Sequence, residues 1–294
     1  MYELIPLTAH DYYIDCPAKI GVVDLGDGRA VCIDSGSDKD AAKKLLRRLE
    51  ERGWILQAVY NTHAHADHIG GNNFLQEKTG CAIYAGGIER AYAAYPQLEP
   101  AGLYGGLPFS ELRNKFLMAR ESRVQPLTEA ALPAGWQLLY LPGHSPDMAG
   151  FLTPEGTAYI ADSVSSEETL QKYGIMYTWN QGDAVRTLEA LPQIKAERFV
   201  PAHAPVVTDI RPLAQANLAA LEELKNRVLR LCAEPVSFEA LLKELFAAYG
   251  LTMTVQQHAL TGSTVRSLLA WLRDTDELQP LIRDNTLLWQ RTEE

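Results

Sequence analysis

The first half of the chain alternates short apolar runs with segments of helical periodicity. Residues 20–25 and 30–33 are apolar or β-branched and are separated by Gly-Asp-Gly, which predicts a β-hairpin. Apolar residues then recur at every fourth position, so we expect a helix over 38–52 that Ser37 or Asp38 caps. The same patterns predict strands over 56–60, 82–84, 137–141, 149–152, 158–160 and 198–201, and helices over 71–79 and 183–191.

The segment 86–124 differs in composition from its surroundings because it is rich in Tyr, Gly and Pro. It predicts one helical piece, over 110–121. An insertion of this kind is either a packing appendage or a loop that overhangs a site.

The pattern changes again beyond Pro212, where helical periodicity dominates. We expect helices over 213–231, 238–249 and 262–273, followed by a hairpin that turns at 283–285. Three helices and then a hairpin is the order of a winged helix. The sequence therefore predicts two domains, residues 1–210 and 211–294.

Composition narrows the classes of function. Of 294 residues, 47% are hydrophobic and 22% are charged, as in ordinary globular proteins. The net charge of −10 argues against a broad phosphate-binding surface. Four scattered cysteines indicate free thiols in a reducing compartment, and neither a signal-peptide pattern nor an apolar run of membrane-spanning length is evident. We expect a cytoplasmic protein with no membrane association.

Candidate chemistry is concentrated at the ends of predicted strands. Five of the seven histidines and two aspartates lie there: His63, His65, Asp67, His68, His144, Asp162 and His203. Residues two apart in an extended loop point the same way, so His63 and His65 can share one metal ion, while Asp67 and His68 are offset toward a second. Imidazole and carboxylate groups suit zinc, although the same donors also hold iron or manganese.

The order of these motifs resembles the metallo-β-lactamase superfamily. The segments HAHADH, PGHSPD, AYIAD and VPAHAP carry the resemblance, which extends over about residues 1–208. It implies an α/β fold, an αββα sandwich of two mixed β-sheets flanked by helices, with a dinuclear metal site between the sheets. The C-terminal part is similar to the winged-helix-like tail of small lactamase-like members.

The resemblance also implies a role for each candidate ligand. It implies that Asp162 bridges the two metals and that Asp67, besides binding metal, orients the nucleophilic water. It implies His63, His65 and His144 at the first metal and Asp67, His68 and His203 at the second. The segment Ile-Asp-Ser-Gly at 33–36 is either a family feature beside the site or an acidic turn and helix cap.

Departures from the family pattern bear on the substrate. Asp162 stands where the main zinc β-lactamases have a cysteine, and His65 where flavodiiron proteins have a glutamate. Antibiotic hydrolysis and redox chemistry are therefore not expected. The segments ADSVSS and AHAPVV also differ from those of glyoxalase II enzymes, which weighs against a glutathione thioester as substrate.

The leading hypothesis is a hydrolase with two Zn²⁺ ions whose metal-bridging hydroxide attacks a small ester, thioester or lactone. In this view the aromatic insertion 86–124 covers an apolar acyl group of the small-molecule substrate. No residue stands out as the general acid. The candidates are Tyr104, Tyr173, Tyr177 and Asp147.

Two alternatives remain open. The winged-helix-like tail suggests a metal-dependent nuclease or phosphodiesterase that acts on RNA or DNA. Beyond residue 205, however, nine Lys or Arg face twelve Asp or Glu, a net charge of −3, so binding of nucleic acid is the weaker interpretation and the tail is more simply a structural cap or a homodimer contact. A metal-holding scaffold without activity is disfavoured because all seven ligands are present.

Overall fold

The computed structural model describes residues 2–292. The strands between residues 3 and 201 form two β-sheets. The larger sheet is mixed: its first four strands pair antiparallel and the later ones parallel. Its strands, in spatial and chain order, are β1 (Glu3–Pro6), β2 (Asp11–Asp15), β3 (Ile20–Gly26), β4 (Arg29–Ile33), β5 (Ile55–Tyr60), β6 (Ala82–Ala85) and β7 (Gln125–Pro126).

The second sheet has the spatial order β11-β10-β9-β8, with β10 and β11 parallel and the other pairs antiparallel. Its strands are β8 (Gln137–Tyr140), β9 (Ala149–Leu152), β10 (Thr157–Ala161) and β11 (Arg198–Pro201). A third, small sheet near the C-terminus joins β12 (Val236–Ser237), β14 (Thr286–Arg291) and β13 (Leu278–Arg283).

Ten α-helices are present within the described residues. They are α1 (Lys39–Glu51), α2 (Ala66–Ile69), α3 (Asn72–Thr79), α4 (Glu89–Ala94), α5 (Leu98–Tyr104), α6 (Glu167–Tyr173), α7 (Gln181–Ala190), α8 (Arg211–Leu231), α9 (Phe238–Ala248) and α10 (Val255–Asp274). None of the helices in 2–292 has the length and apolar character needed to cross a bilayer.

The side chains of neighbouring strand residues point to opposite faces, and this alternation builds the layers. Val31 and Ile33 of β4 face the second sheet, where they join a buried cluster with Phe151 and Tyr159. Cys32, between them, points the other way, into a cluster that the helices α1 and α3 cover. Helices α7 and α8 cover the outer face of the second sheet. The expected order of helix, sheet, sheet and helix is confirmed.

The predicted caps and turns are also confirmed. The Asp38 carboxylate accepts hydrogen bonds from the amides of Asp40 and Ala41, and it thereby caps α1. The Gly-Asp-Gly hairpin links β3 to β4. All four cysteines are buried and free.

The C-terminal part contains the predicted three helices and hairpin. Helix α10 begins at Val255, earlier than expected, and the short β12 adds a third strand to the hairpin. These elements enclose a core of their own, to which Ile175 of the first half also contributes. A winged-helix assignment and a domain boundary near 210 stay predictions.

The expected helix over 110–121 is wrong. Only a 3-10 turn at Ser110–Leu112 forms there, and the Asn114 side chain accepts a hydrogen bond from the amide of Phe116, which favours a local turn over a helix. Leu112 and Leu117 are buried five positions apart, so they do not follow helical spacing. The helices of the insertion are instead α4 and α5.

Candidate metal centre

All seven predicted ligands lie in segments that follow strands. His63, His65, Asp67 and His68 come after β5, in the loop and in α2. The other three come from the second sheet, because His144 follows β8, Asp162 follows β10 and His203 follows β11. The two sheets therefore supply opposite sides of one cluster of side chains.

The first set of donor atoms consists of three imidazole nitrogens. His63 Nε2 and His144 Nε2 lie 3.0 and 2.9 Å from His65 Nδ1. Three ring nitrogens that converge on one point in this way can hold a metal ion, because each neutral imidazole offers one lone pair.

The second set combines a carboxylate with two imidazoles. Asp67 Oδ2 lies 3.3 Å from His203 Nε2 and 3.8 Å from His68 Nε2. These three atoms again form a group compact enough for a metal ion. The Asp67 side chain is 45% exposed, so this set faces the solvent side of the centre.

Asp162 lies between the two sets. Its Oδ2 is 3.4 Å from His144 Nε2 of the first set and 3.3 Å from His203 Nε2 of the second. Its Oδ1 is 3.2 Å from His68 Nε2. This is the position that a carboxylate shared by two metal ions would occupy.

The arrangement fits metal ions better than a network of hydrogen bonds. His68 Nε2 and Asp162 Oδ1 are close, but their geometry does not allow a hydrogen bond, and both atoms are buried without a partner. A buried polar atom without a partner is costly unless something else satisfies it. Nitrogen and carboxylate donors together suit zinc and related divalent ions.

Asp34 orients the centre from behind. Its Oδ2 lies 2.8 Å from His68 Nδ1 and accepts a hydrogen bond from Thr62 Oγ1. The Thr62 hydroxyl in turn lies 3.0 Å from His63 Nδ1. These contacts turn the Nε2 atoms of both histidines toward the centre, as outer carboxylates do in metal sites. The segment at 33–36 therefore lies beside the site.

Backbone carbonyls orient two further histidines. His144 Nδ1 lies 3.2 Å from the carbonyl oxygen of Tyr177, and His203 Nδ1 lies 2.8 Å from that of Pro17. An Nδ1–H that donates to a carbonyl leaves Nε2 free as an acceptor. The tautomers that these contacts favour are the ones that metal binding needs.

The histidines of the first set have lowered pKa values, whereas those of the second set have raised pKa values. Burial, with help from neighbouring histidines, lowers the pKa of His63 and lowers that of His65 to about 3, so both rings are neutral. The Asp162 carboxylate raises the pKa of His203 to about 10. Burial alone would lower the pKa of His68, but the carboxylates of Asp162, Asp67 and Asp34 raise it well above 6.5. Metal ions binding at the second set would replace protons.

Two backbone positions hold the loops in place. Ala161 has φ of 49°, an uncommon conformation for a non-glycine residue, and it directly precedes Asp162. Gly143, before His144, has φ of 129°, and a Cβ there would lie 2.4 Å from backbone atoms of Ala184 in α7. Close packing against α7 thus fixes the His144 loop.

Glu89 in α4 is a site-supporting residue that the sequence did not reveal. It is 2% exposed, and its carboxylate accepts hydrogen bonds from the amides of Ala64 and Asp147. It therefore joins the loop of His63 and His65 to the loop of His144. No spacing rule identifies such a residue, because its partners are backbone amides remote in sequence.

The aromatic insertion reaches the edge of the centre. Glu89, Tyr92 and Glu99 line a small pocket beside His65. Tyr177, from outside the insertion, packs its ring 5.2 Å from that of His65. Of the other general-acid candidates, Asp147 instead accepts a hydrogen bond from the amide of Ile88 at the base of the insertion.

The remaining histidines lie outside the cluster. His10 is exposed, and His258 Nε2 lies 3.1 Å from a carboxylate oxygen of Glu239 on the surface. Within residues 2–292, neither belongs to a group of three or more side chains that could hold a metal ion.

Comparison with known proteins agrees with the geometry. The family model of the metallo-β-lactamase superfamily matches residues 13–203. The probable metallo-hydrolase YqgX of Bacillus subtilis is 24% identical over 170 residues, 58% of this chain and 70% of that protein. The hydroxyacylglutathione hydrolase GloC of Haemophilus influenzae is 28% identical over 153 residues, 52% of this chain and 66% of that protein.

Higher identities are confined to short segments. The hydroxyacylglutathione hydrolase of Methylococcus capsulatus is 38% identical over 65 residues, 22% of this chain. The chain spans only 24% of the length of that relative.

Two solved structures share the whole fold. A metallo-β-lactamase family protein from Thermus thermophilus superimposes with a TM-score of 0.76 at 19% identity, over 98% of this chain and 100% of the other. A β-lactamase domain protein from Burkholderia ambifaria gives 0.74 at 17% identity, over 99% and 94%. With the family model matching most of the chain and the fold in agreement, this chain belongs to the metallo-β-lactamase superfamily.

Proposed function

We propose that the chain is a dinuclear metal-dependent hydrolase of small esters, thioesters or lactones. The observation that carries the proposal is the position of Asp162, whose two oxygens lie within 3.4 Å of donor atoms from both ligand sets. A single metal ion would not need a carboxylate placed between two such sets.

In this proposal two zinc ions occupy the centre. The first would be held by His63, His65 and His144, and the second by Asp67, His68 and His203, with Asp162 shared. Bound there, the ions supply a water of lowered pKa and a positive charge beside the carbonyl oxygen of the substrate. Two zinc ions would bring four positive charges, whereas the seven side chains bring only two negative charges. The centre would therefore keep a net positive charge.

The residues of the chain direct the reaction. The half-exposed Asp67 carboxylate would accept a hydrogen bond from the attacking water and so fix its orientation. The oxygen of that water forms a bond to the carbonyl carbon, the bond from carbon to the thiol sulfur or alcohol oxygen breaks, and the leaving group takes up a proton. The acid and the thiol or alcohol are the products.

Thioesters are one class of substrate that the relatives suggest. GloC of Haemophilus influenzae and several short-segment relatives are named hydroxyacylglutathione hydrolases. A hydroxyacylglutathione therefore belongs among the substrates tested, although the segments after Asp162 and His203 differ from those of glyoxalase II enzymes.

The first experiment measures the metal content of protein purified without added metal, and then its hydrolysis of thioesters, esters, lactones and phosphodiesters before and after chelation. We expect about two ions per chain, with zinc exceeding iron and manganese, and activity that chelation removes and zinc restores. Phosphodiester cleavage alone would instead identify a nuclease.

A matched pair of variants tests the ligand assignment. His65→Ala should lose metal and activity together, whereas His10→Ala, an exposed histidine outside the cluster, should retain both. Less than half an ion per chain, with none taken up from supplied zinc, would show that these residues do not form the proposed centre.

A further inference from the structure

A large cavity opens directly from the metal centre. Its volume is about 670 Å³, within the range of pockets for small ligands. His144, Asp162 and His203 line one end of it. One face of helix α8 forms a wall of the cavity. It carries four lining residues at helical spacing: Asn217, Ala220, Leu221 and Leu224.

Apolar side chains form the larger part of the cavity lining, and polar side chains such as Ser166, Thr169 and Thr178 lie among them. The apolar side chains include Met148, Val164, Leu170, Met176 and Leu188. Three of these side chains are among the most buried in the protein. A lining of this kind favours an apolar ligand, because each apolar group that it covers leaves water.

Several polar groups of the lining already bond to the protein. The Asn217 amide exchanges two hydrogen bonds of 2.9 Å with the backbone of Ser165. The Thr187 hydroxyl donates to the carbonyl oxygen of Pro142, and the Ser163 hydroxyl to that of Ile160. These groups are not free to recognise a polar ligand.

Charged side chains of the lining lie at its rim or bind the protein. Glu168 and Lys172 are exposed, so they stand where the cavity meets solvent. Lys19 donates a hydrogen bond of 2.7 Å to the carbonyl oxygen of Ala204, beside His203. The cavity thus has one reactive end, at the metal centre, and a lining whose larger part is apolar.

We propose that this cavity binds the acyl group of the substrate, a hydrocarbon chain of several carbons whose carbonyl lies at the metal centre. The inference rests on the proposed hydrolysis of esters or thioesters. Thiol carriers are polar and charged, so they suit the exposed rim with Glu168 and Lys172 better than the apolar part of the lining. The acyl chain is the part of such a substrate that suits it.

In this proposal the acyl group lies in the large cavity and not beneath the insertion. No residue of 86–124 lines the large cavity, so this proposal differs from the sequence-based expectation that the aromatic insertion covers the acyl group. The insertion lines the small pocket beside His65, whereas α8, in the C-terminal part of the chain, lines the large cavity.

The test uses thioesters of N-acetylcysteamine with acyl chains from acetyl to octanoyl. Each added methylene should raise kcat/KM about fourfold until the cavity is filled, the equivalent of about 0.8 kcal/mol. Ala220→Leu should remove the gain for the longer chains. Leu221→Ala should shift the preferred chain toward greater length.

Ala219→Leu is the matched control, because Ala219 is exposed on the same helix and does not line the cavity. It should reproduce the parent profile. A chain-length profile that is flat, or that Ala219→Leu and Ala220→Leu change equally, would overturn the inference. So would a preference that follows the length of the thiol rather than that of the acyl chain.

Binding without turnover separates this inference from the proposed hydrolysis. In calorimetry on the zinc-loaded protein, octanoate should bind at least about tenfold more tightly than acetate, and Ala220→Leu should abolish the difference. If no ester or thioester is hydrolysed but this difference is found, the proposed hydrolysis fails and the apolar cavity stands. Equal binding of the two acids would overturn the cavity's role whatever the activity.

Discussion

Asp34 shares its carboxylate between His68 and Thr62, and through them it orients two of the proposed ligands. Its backbone has φ of 65°, in the left-handed region, and its side chain is buried. A charged, buried residue in an uncommon conformation is costly to stability. Residues that destabilise the fold in this way are typical of functional sites, where side chains must be held in a fixed geometry.

We expect Asp34→Asn to lower zinc affinity at the second set about 10-fold to 100-fold. The substitution removes the negative charge beside His68 Nδ1. It also places an amide NH₂ group near the backbone N–H and the hydroxyl of Thr62, both of which donate to the carboxylate. Titration with zinc against a competing chelator measures the change. Asp24→Asn is the control, since Asp24 accepts a hydrogen bond only from Gly26 in the β3–β4 hairpin. Unchanged affinity in Asp34→Asn would contradict the role assigned to Asp34.

The sequence identified the seven clustered residues because each follows a strand in a recognisable motif. Their mutual distances and the sharing of Asp162 could not come from spacing, since they depend on how two sheets pack. Glu89 was missed for a related reason. Its partners are backbone amides, which carry no signal in the amino-acid sequence.

Among the elements, the insertion is anchored to the C-terminal helix α10. Leu103 of α5, Leu112 and Leu117 form a small buried cluster with Ala259 of α10. Leu107, between them in sequence, is 84% exposed. The insertion is therefore a packed appendage through some residues and an edge of the site through others.

Leu112→Ala should lower the free energy of unfolding by about 2–5 kcal/mol, because Leu112 is 1% exposed and its loss leaves a cavity against α10. Urea denaturation measures the change. Leu107→Ala removes the same atoms from the surface and should alter stability by less than about 0.5 kcal/mol. Equal effects of the two substitutions would show that the insertion is not anchored at Leu112.

Element prediction succeeded where periodicity and turn residues agreed, as in α1 and the β3–β4 hairpin. It failed over 110–121, where residues of good helical propensity pack at irregular spacing onto α10. Tertiary contacts decide that segment, and they are not local. The edge strand β1 and its neighbour β2 were also missed, since polar residues interrupt their pattern.

At the scale of the whole molecule, α8 connects the two parts of the chain. Its first turns pack with the second sheet through Ala214, and its last turns enter the C-terminal core through Leu224 and Val228. A continuous helix that belongs to two cores couples their stabilities, because neither can lose its half of the helix independently.

We therefore expect one cooperative unfolding transition for the entire chain. Calorimetry, far-ultraviolet circular dichroism and tryptophan fluorescence should give coincident midpoints, and chelation should shift all of them downward together. Two resolved transitions, of which only the first responds to chelation, would show that the C-terminal part unfolds as a separate unit.

The place of α8 also has an evolutionary consequence. The groups proposed for chemistry lie in the first 203 residues, whereas one wall of the cavity is encoded beyond residue 210. Changes in the C-terminal third of the gene can therefore alter which molecules are accepted without altering the reaction. Related proteins can therefore diverge in substrate specificity through exchange or mutation of the C-terminal third of the gene. Directed evolution of new specificities should begin there.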